Sequence, residues 1–209
     1  MTKEEWEQAL SKRVGEPLRR TFAEATVAVC GLGGLGSHIA LSLARAGVGR
    51  LVLIDFDRVD LSNLHRQAYF PSQIGENKTD ALRENVLAAA PYVCVRTHCL
   101  RLTVQNAAEL LEDADVVCEA FDDPQAKAML VDAAASFFPE KWLVAASGMA
   151  GIGSPNRICT RKLTKKMFLC GDGTSDAADG MGLAAPRVML CAAHQALTVL
   201  RILAGETDV

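Results

Sequence analysis

The chain is poor in aromatic residues, which make up 5% of its 209 positions, and it contains no C-x-x-C pair and no strong charge of either sign. No apolar run approaches the ~20 residues that a bilayer-spanning helix requires, so no membrane partner is expected. A formal net charge of −3 gives no electrostatic reason to expect nucleic acid or an anionic lipid surface. Seven cysteines stand at positions 30, 94, 99, 118, 159, 170 and 191. Their spacing supports neither a four-cysteine zinc site nor a disulfide framework, so no zinc is expected. The polar start MTKEEWEQALSKR lacks the apolar centre of a secretory leader, which points to the cytoplasm. The length suits one good core and is too short for a two-domain dehydrogenase. A single domain over 1–209 is therefore expected.

What the chain does have is concentrated between Val27 and Gln67. The apolar run Val27 to Cys30 is followed at once by Gly31, Gly33, Gly34 and Gly36, and then by Ile39, Leu41, Leu43 and Ala46. That order predicts strand, glycine turn, helix. Glycines are needed where the chain turns tightly and where phosphate must approach the backbone. The first turn of the helix then offers N–H groups to an anion. A second apolar run, Leu51 to Ile54, ends on Asp55, which stands 19 residues beyond Gly36. A carboxylate there suits a ribose hydroxyl.

Residues 4–24 read as a helix broken near Gly15 to Pro17, forming a helical lead-in over 1–24. After Asp55 comes an irregular stretch to Gly75, then a helix from Asn77 to Ala89, a strand over Tyr92 to Leu100 and a helix over Thr103 to Leu111. A short strand, Ala114 to Ala120, precedes a helix that Pro124 opens, and Trp142 to Ala146 is a further strand. This alternation predicts an α/β, Rossmann-like fold, mostly parallel with helices on both faces. Ile152 to Cys159 and Lys162 to Leu169 have no helix between them and predict an antiparallel portion. A glycine- and aspartate-rich stretch over 170–183 reads as a mobile crossover loop before an apolar helix, Ala184 to Leu203.

Downstream of Asp55 stand the charged and amide residues Asp57, Asn63, Arg66, Gln67, Lys78 and, after VVCEAF, Asp122 and Asp123. Two cations, Arg66 and Lys78, exceed what a dinucleotide's pyrophosphate needs and suit a triphosphate attacked at its α-phosphorus. Asp122, at a strand end, suits Mg²⁺, which binds through one or two carboxylates plus phosphate oxygens.

GLGGLGS, DFD, NLHRQ, the lysine of GENK and the aspartate of AFDD together resemble the adenylation domain of the ubiquitin-activating-enzyme superfamily. Within it the chain is most similar to the ThiF/MoeB/HesA branch, in a short ThiF-like form, over about Ala25 to Ala204. The resemblance implies ATP-dependent adenylation of the C-terminal glycine of a small ubiquitin-like sulfur carrier with a Gly-Gly tail, ThiS-like and serving thiamine biosynthesis. It assigns Asp55 to the ribose, Arg66 and Lys78 to the phosphates and Asp122 to magnesium, with Asp57, Asn63 and Gln67 lining the nucleotide. It also implies a homodimer in which an N-terminal arginine reaches the partner's phosphates; Arg13 is the candidate here, with Arg19 and Arg20 close behind. Cys170 is a candidate for a covalent link to the carrier, although Asp172 nearby would raise its pKa. Relatives carry D-N-x-x-x-R where this chain has Asp122, Asp123 and Lys127, a point charge in place of a bidentate guanidinium. Two alternatives compete. An NAD-dependent oxidoreductase explains the glycines and Asp55 but leaves Arg66, Lys78 and Asp122 idle; a carrier-binding module without turnover would share the fold.

Overall fold

A computed structural model describes residues 1–208. The lead-in forms two helices, α1 (Lys3–Val14) and α2 (Glu16–Glu24). Gly15, at φ +84°, ends the first, and Pro17 sits in the first turn of the second, where its missing N–H costs nothing. There follow β1 (Thr26–Cys30), α3 (Gly34–Ala46), β2 (Arg50–Asp55), α4 (Lys78–Ala89), β3 (Cys94–Cys99), α5 (Val104–Leu111), β4 (Val116–Glu119), α6 (Pro124–Phe137) and β5 (Trp142–Ala146). The chain closes with β6 (Cys159–Thr164), β7 (Met167–Gly171) and α7 (Ala185–Leu203).

One seven-stranded sheet results, in the order β3-β2-β1-β4-β5-β7-β6. All neighbours are parallel except β6 and β7, which are antiparallel. β1 and β4 are buried at every position, as strands covered on both faces must be. One core layer packs Val27, Val29, Leu51 and Leu53 against α3, α4 and α7; the other packs Ala28, Cys30, Val52 and Ile54 against α5 and α6. Alternation along β1 thus feeds both layers.

The antiparallel portion is real, but its limits differ from the sequence pattern. Ile152 to Ile158 is not a strand: Pro155–Arg157 makes a 3-10 turn, and Ile152 is 91% exposed. β6 begins at Cys159, and the hairpin turn falls between Thr164 and Met167, inside the stretch Lys162 to Leu169 that reads as one strand. Apolar Leu163, 52% exposed on the edge strand, gave a false continuity.

Candidate active site

The site gathers at the carboxyl ends of β1, β2 and β4, where connections leave the central strand in opposite directions. Gly31 turns the chain at φ +91°, and a Cβ there would lie 2.7 Å from Ala120 O at the end of β4. A Cβ on Gly36 would lie 1.8 Å from Gly31 O, so turn and helix can meet only without side chains. Asp55 is buried and fastened to this turn: Oδ2 accepts from Leu32 N at 2.6 Å, and Oδ1 accepts from Asp57 N at 2.8 Å. A carboxylate accepts about four hydrogen bonds. Asp55 therefore retains capacity for a ribose hydroxyl.

The NLHRQ segment folds back over the turn. Asn63 O accepts from Arg66 N at 3.1 Å and Gln67 N at 3.0 Å, so Asn63 shapes the bend that presents both. A Cβ on Gly34 would stand 3.7 Å from Arg66 Cγ, and one on Gly33 would stand 3.7 Å from Gln67 Nε2. Arg66 is half-buried, and its Nη1 donates to Ser62 O at 3.1 Å. Gln67 is buried, and its Oε1 has no hydrogen-bond partner among the described residues. An orphaned polar atom beside a phosphate-type turn marks a place where a ligand or water completes the bonding. Lys78 opens α4, is buried, and donates from Nζ to Asp57 Oδ2 at 2.8 Å. Asp57 thus aims Lys78, and two of the three ammonium donors stay available.

At the third strand end Asp123 caps α6, accepting from Ala126 N at 3.0 Å. Asp122 beside it is exposed and hydrogen-bonded to nothing among the described residues. The geometry therefore brings Gly31, Gly33, Gly34, Gly36, Asp55, Asp57, Asn63, Arg66, Gln67, Lys78 and Asp122 to one edge of the sheet. The model of the ThiF family matches residues 7–209. This chain belongs to the ThiF family.

It is 32% identical over 215 residues to an adenylyltransferase and sulfurtransferase, uba4, of Aspergillus terreus, covering 96% of this chain and 44% of that protein. It is 37% identical over 138 residues to a sulfur carrier protein adenylyltransferase of Thermus thermophilus, covering 64% of this chain and 51% of that one. The chain thus spans about half the length of these curated relatives. Among solved structures, Escherichia coli tRNA N6-threonylcarbamoyladenosine dehydratase in complex with AMP superimposes with a TM-score of 0.88 at 22% identity, covering 99% of this chain and 98% of that one. The same enzyme in complex with ATP gives 0.88 over 97% and 95%. At that identity the likeness is one of fold.

Two expected members of this ThiF-family site lie elsewhere. Cys170 sits inside β7 with no exposed surface, and burial pushes its thiol pKa up, against hydrogen bonds to Thr160 and Thr198. A wholly buried, protonated thiol is a core group, which corrects its reading as a nucleophile. Arg13 is exposed in the last turn of α1. Arg19 and Arg20 bind Glu16 at 2.7 and 2.6 Å, and Arg19 lines a cavity of about 290 Å³ at the amino ends of β2 and β3. Neither that cavity nor its neighbour of about 280 Å³ contains any residue of the glycine-turn site. The lead-in arginines do not reach their own chain's turn.

Two buried ion pairs escaped the sequence reading. Glu119, 1% exposed in β4, accepts from Lys127 Nζ at both carboxylate oxygens, at 2.9 and 3.0 Å. Asp172, buried after β7, receives Arg187 Nη2 at 2.6 Å. Arg187 Nη1 also donates to Gly153 O at 2.7 Å and Ser154 O at 3.0 Å. The signal was present: a charge inside an apolar run, as in VVCEAF and APRVML, is tolerated only with a partner. The crossover stretch is consequently anchored at its start. Asp172 Oδ1 accepts from Thr174 N and Ser175 N at 2.9 and 2.8 Å, and at the far end Gly182 O accepts from Gly151 N at 3.0 Å.

Proposed function

We propose that this chain uses ATP to adenylate the C-terminal glycine carboxylate of a small ubiquitin-like sulfur carrier, giving an acyl-adenylate and pyrophosphate. The observation that carries the reading is the closure of Arg66 and Gln67 over the glycine turn, with Lys78 delivered to the same edge by Asp57. Solved neighbours hold ATP and AMP, and the relatives are named adenylyltransferases, which favours a nucleoside triphosphate over NAD. A carrier-binding module without turnover would leave Lys78, buried and aimed by Asp57, without a task.

In this mechanism the N–H groups at the start of α3 and the turn before it cradle phosphate oxygens, while Asp55 accepts the ribose hydroxyl. A carboxylate oxygen of the carrier bonds to the α-phosphorus, and the bond from that phosphorus to the departing pyrophosphate breaks. Arg66 and Lys78 neutralise the charge that gathers on the phosphoryl oxygens at that moment. Asp122 fits a magnesium role, because it is an exposed carboxylate with no partner of its own and Mg²⁺ needs only one or two such ligands beside the nucleotide. When bound, the ion supplies charge compensation to the phosphates. The exposed Asp176–Gly180 stretch, beyond the turn that Asp172 anchors, closes over the carrier's tail.

The reading extends to a ThiS-like carrier ending in Gly-Gly, to thiamine biosynthesis and to a cytoplasmic homodimer. Arg13 of one protomer would serve the partner's phosphates, since the lead-in sits far from its own glycine turn. ATP–pyrophosphate exchange with a panel of Gly-Gly-tailed carriers tests this, with exchange expected for one carrier and none without it. In parallel, ATP with Mg²⁺ at ~100 times its dissociation constant should stabilise the fold by roughly 2.7 kcal/mol. Stabilisation by NAD instead would overturn the reading.

A further inference from the structure

The connection from β4 to α6 holds three carboxylates in five residues, Glu119, Asp122 and Asp123, and they meet three different fates. Asp123 is consumed as the cap of α6. Glu119 is buried, and besides Lys127 its Oε1 accepts from Phe121 N at 2.7 Å, so the carboxylate ties down the backbone one residue before Asp122. Of the three, Asp122 alone has a side chain with no hydrogen-bond partner among the described residues, and it stands between two fixed neighbours.

Lys127 extends this fastening beyond the loop. Its Nζ reaches back from α6 to both oxygens of Glu119 and also donates to Ala146 O at 3.1 Å, the last residue of β5. Gln195 of α7 meets the same two strands, its Nε2 donating to Glu119 O at 2.9 Å and Val144 O at 3.1 Å. The ends of β4 and β5, the start of α6 and the middle of α7 are thereby joined at Glu119. Ala120 and Phe121, between Glu119 and Asp122, press on Gly31: a Cβ there would meet Ala120 O at 2.7 Å and Phe121 Cδ1 at 3.0 Å. The glycine turn and the Asp122 loop therefore share one wall, and Glu119 fixes that wall.

We infer that the Glu119–Lys127 pair is a positioning device that sets Asp122 against the glycine turn, so that a metal-bound nucleotide meets both in register. The pair touches no substrate; it acts through the backbone of Ala120 and Phe121. This inference rests on the adenylation reading and adds two residues to its machinery. It also gives Lys127 a role: its single ammonium bridges the Glu119 carboxylate and the Ala146 carbonyl.

The test is calorimetric titration of ATP, with and without Mg²⁺, into the wild type and two double variants. Glu119→Gln with Lys127→Met removes both charges together, so that neither is left buried and unpaired. The expected result is a folded protein whose affinity for ATP without Mg²⁺ changes little, while the gain in affinity that Mg²⁺ confers falls by roughly tenfold. Glu119→Asp with Lys127→Arg keeps the pair with a shorter acid and a longer base, and should restore most of that gain. A wild-type Mg²⁺ gain retained by a folded Gln/Met variant would overturn the inference and leave the adenylation reading standing. Equal loss with and without Mg²⁺, unrescued by the Asp/Arg variant, would show the pair to be structural and would overturn it too. Absence of any ATP binding by the wild type would overturn the adenylation reading itself.

Discussion

Arg66 and Lys78 look alike in the sequence and differ in the fold. Arg66 is half-buried with its guanidinium on Ser62 O, whereas Lys78 is buried and held by Asp57. Each is expected to add charge-assisted contacts only as phosphate charge builds. Arg66→Ala and Lys78→Ala should then each lower carrier-dependent exchange by roughly 10²–10³-fold. The accompanying loss of stability should stay below about 1 kcal/mol, because Asp57 is exposed enough for water to replace the lysine. Exchange assays beside urea unfolding measure both quantities, and a stability loss that tracks the activity loss would make these residues structural. Cys170 calls for the opposite pattern. Cys170→Ala should cost about 1–2 kcal/mol of stability through the lost core atom and leave exchange within about twofold of wild type, and the wild type itself should show no covalent carrier adduct on denaturing gels. An adduct on the wild type that Cys170→Ala abolishes would restore the thiol as a nucleophile.

The crossover stretch shows how local composition can mislead about an element. Its glycines and aspartates predict a free loop, yet Asp172 organises the first turn and binds Arg187 at the start of α7. Arg187→Ala leaves a buried carboxylate uncompensated and should destabilise the fold by about 3–5 kcal/mol, as read by denaturant unfolding. Burial alone would raise the Asp172 pKa, but hydrogen bonds from Ser175 and Thr174, with Arg187, hold it below the usual carboxylate range. Its contribution to stability is therefore fully present above the ordinary value of about 4 and is lost as pH falls through the lower folded value. The acid limb of the unfolding curve should be shallower in Asp172→Asn. The same anchoring limits what can move: Asp176 to Gly180 is exposed and lies beyond the Asp172 turn. Deleting those five residues, with Thr174 and Ser175 retained, should weaken carrier affinity and turnover while leaving ATP binding unchanged. Untouched exchange would reduce the stretch to a connector.

For the whole molecule, the position of the lead-in is the main consequence of the fold. α1 and α2 pack at the amino ends of β2 and β3, opposite the glycine turn, with Gly49 N donating to Phe22 O at 2.9 Å. An arginine from this segment can serve a phosphate site only across an interface, and two-fold dimers are the commonest closed assembly. Sedimentation should show a dimer, and mixing Arg13→Ala with Lys78→Ala protomers should recover part of the activity that each lacks alone. A fully active monomer would refute the arrangement.

The stretch from Val27 to Asp55 was legible because its signals are local. An apolar run, glycines at fixed spacing and a helical repeat each act within a few residues, and β1, the turn, α3, β2 and Asp55 follow in that order. ThiF-family membership rests on motifs of the same short range. The charges of Asp122, Arg66 and Lys78 were likewise visible within their motifs, although the burial of Lys78 and its pairing with Asp57 were not. Strand order was not visible: β1 lies between β2 and β4, and Thr26 N is held by Asp115, 89 positions away. Nor was the fate of Cys170, which depends on α7 and β6 covering it, or that of Glu119 and Asp172, which depends on Lys127 and Arg187 arriving from other elements. Burial is a property of the packed chain, and it is burial that turns a carboxylate into half of an ion pair and a thiol into core.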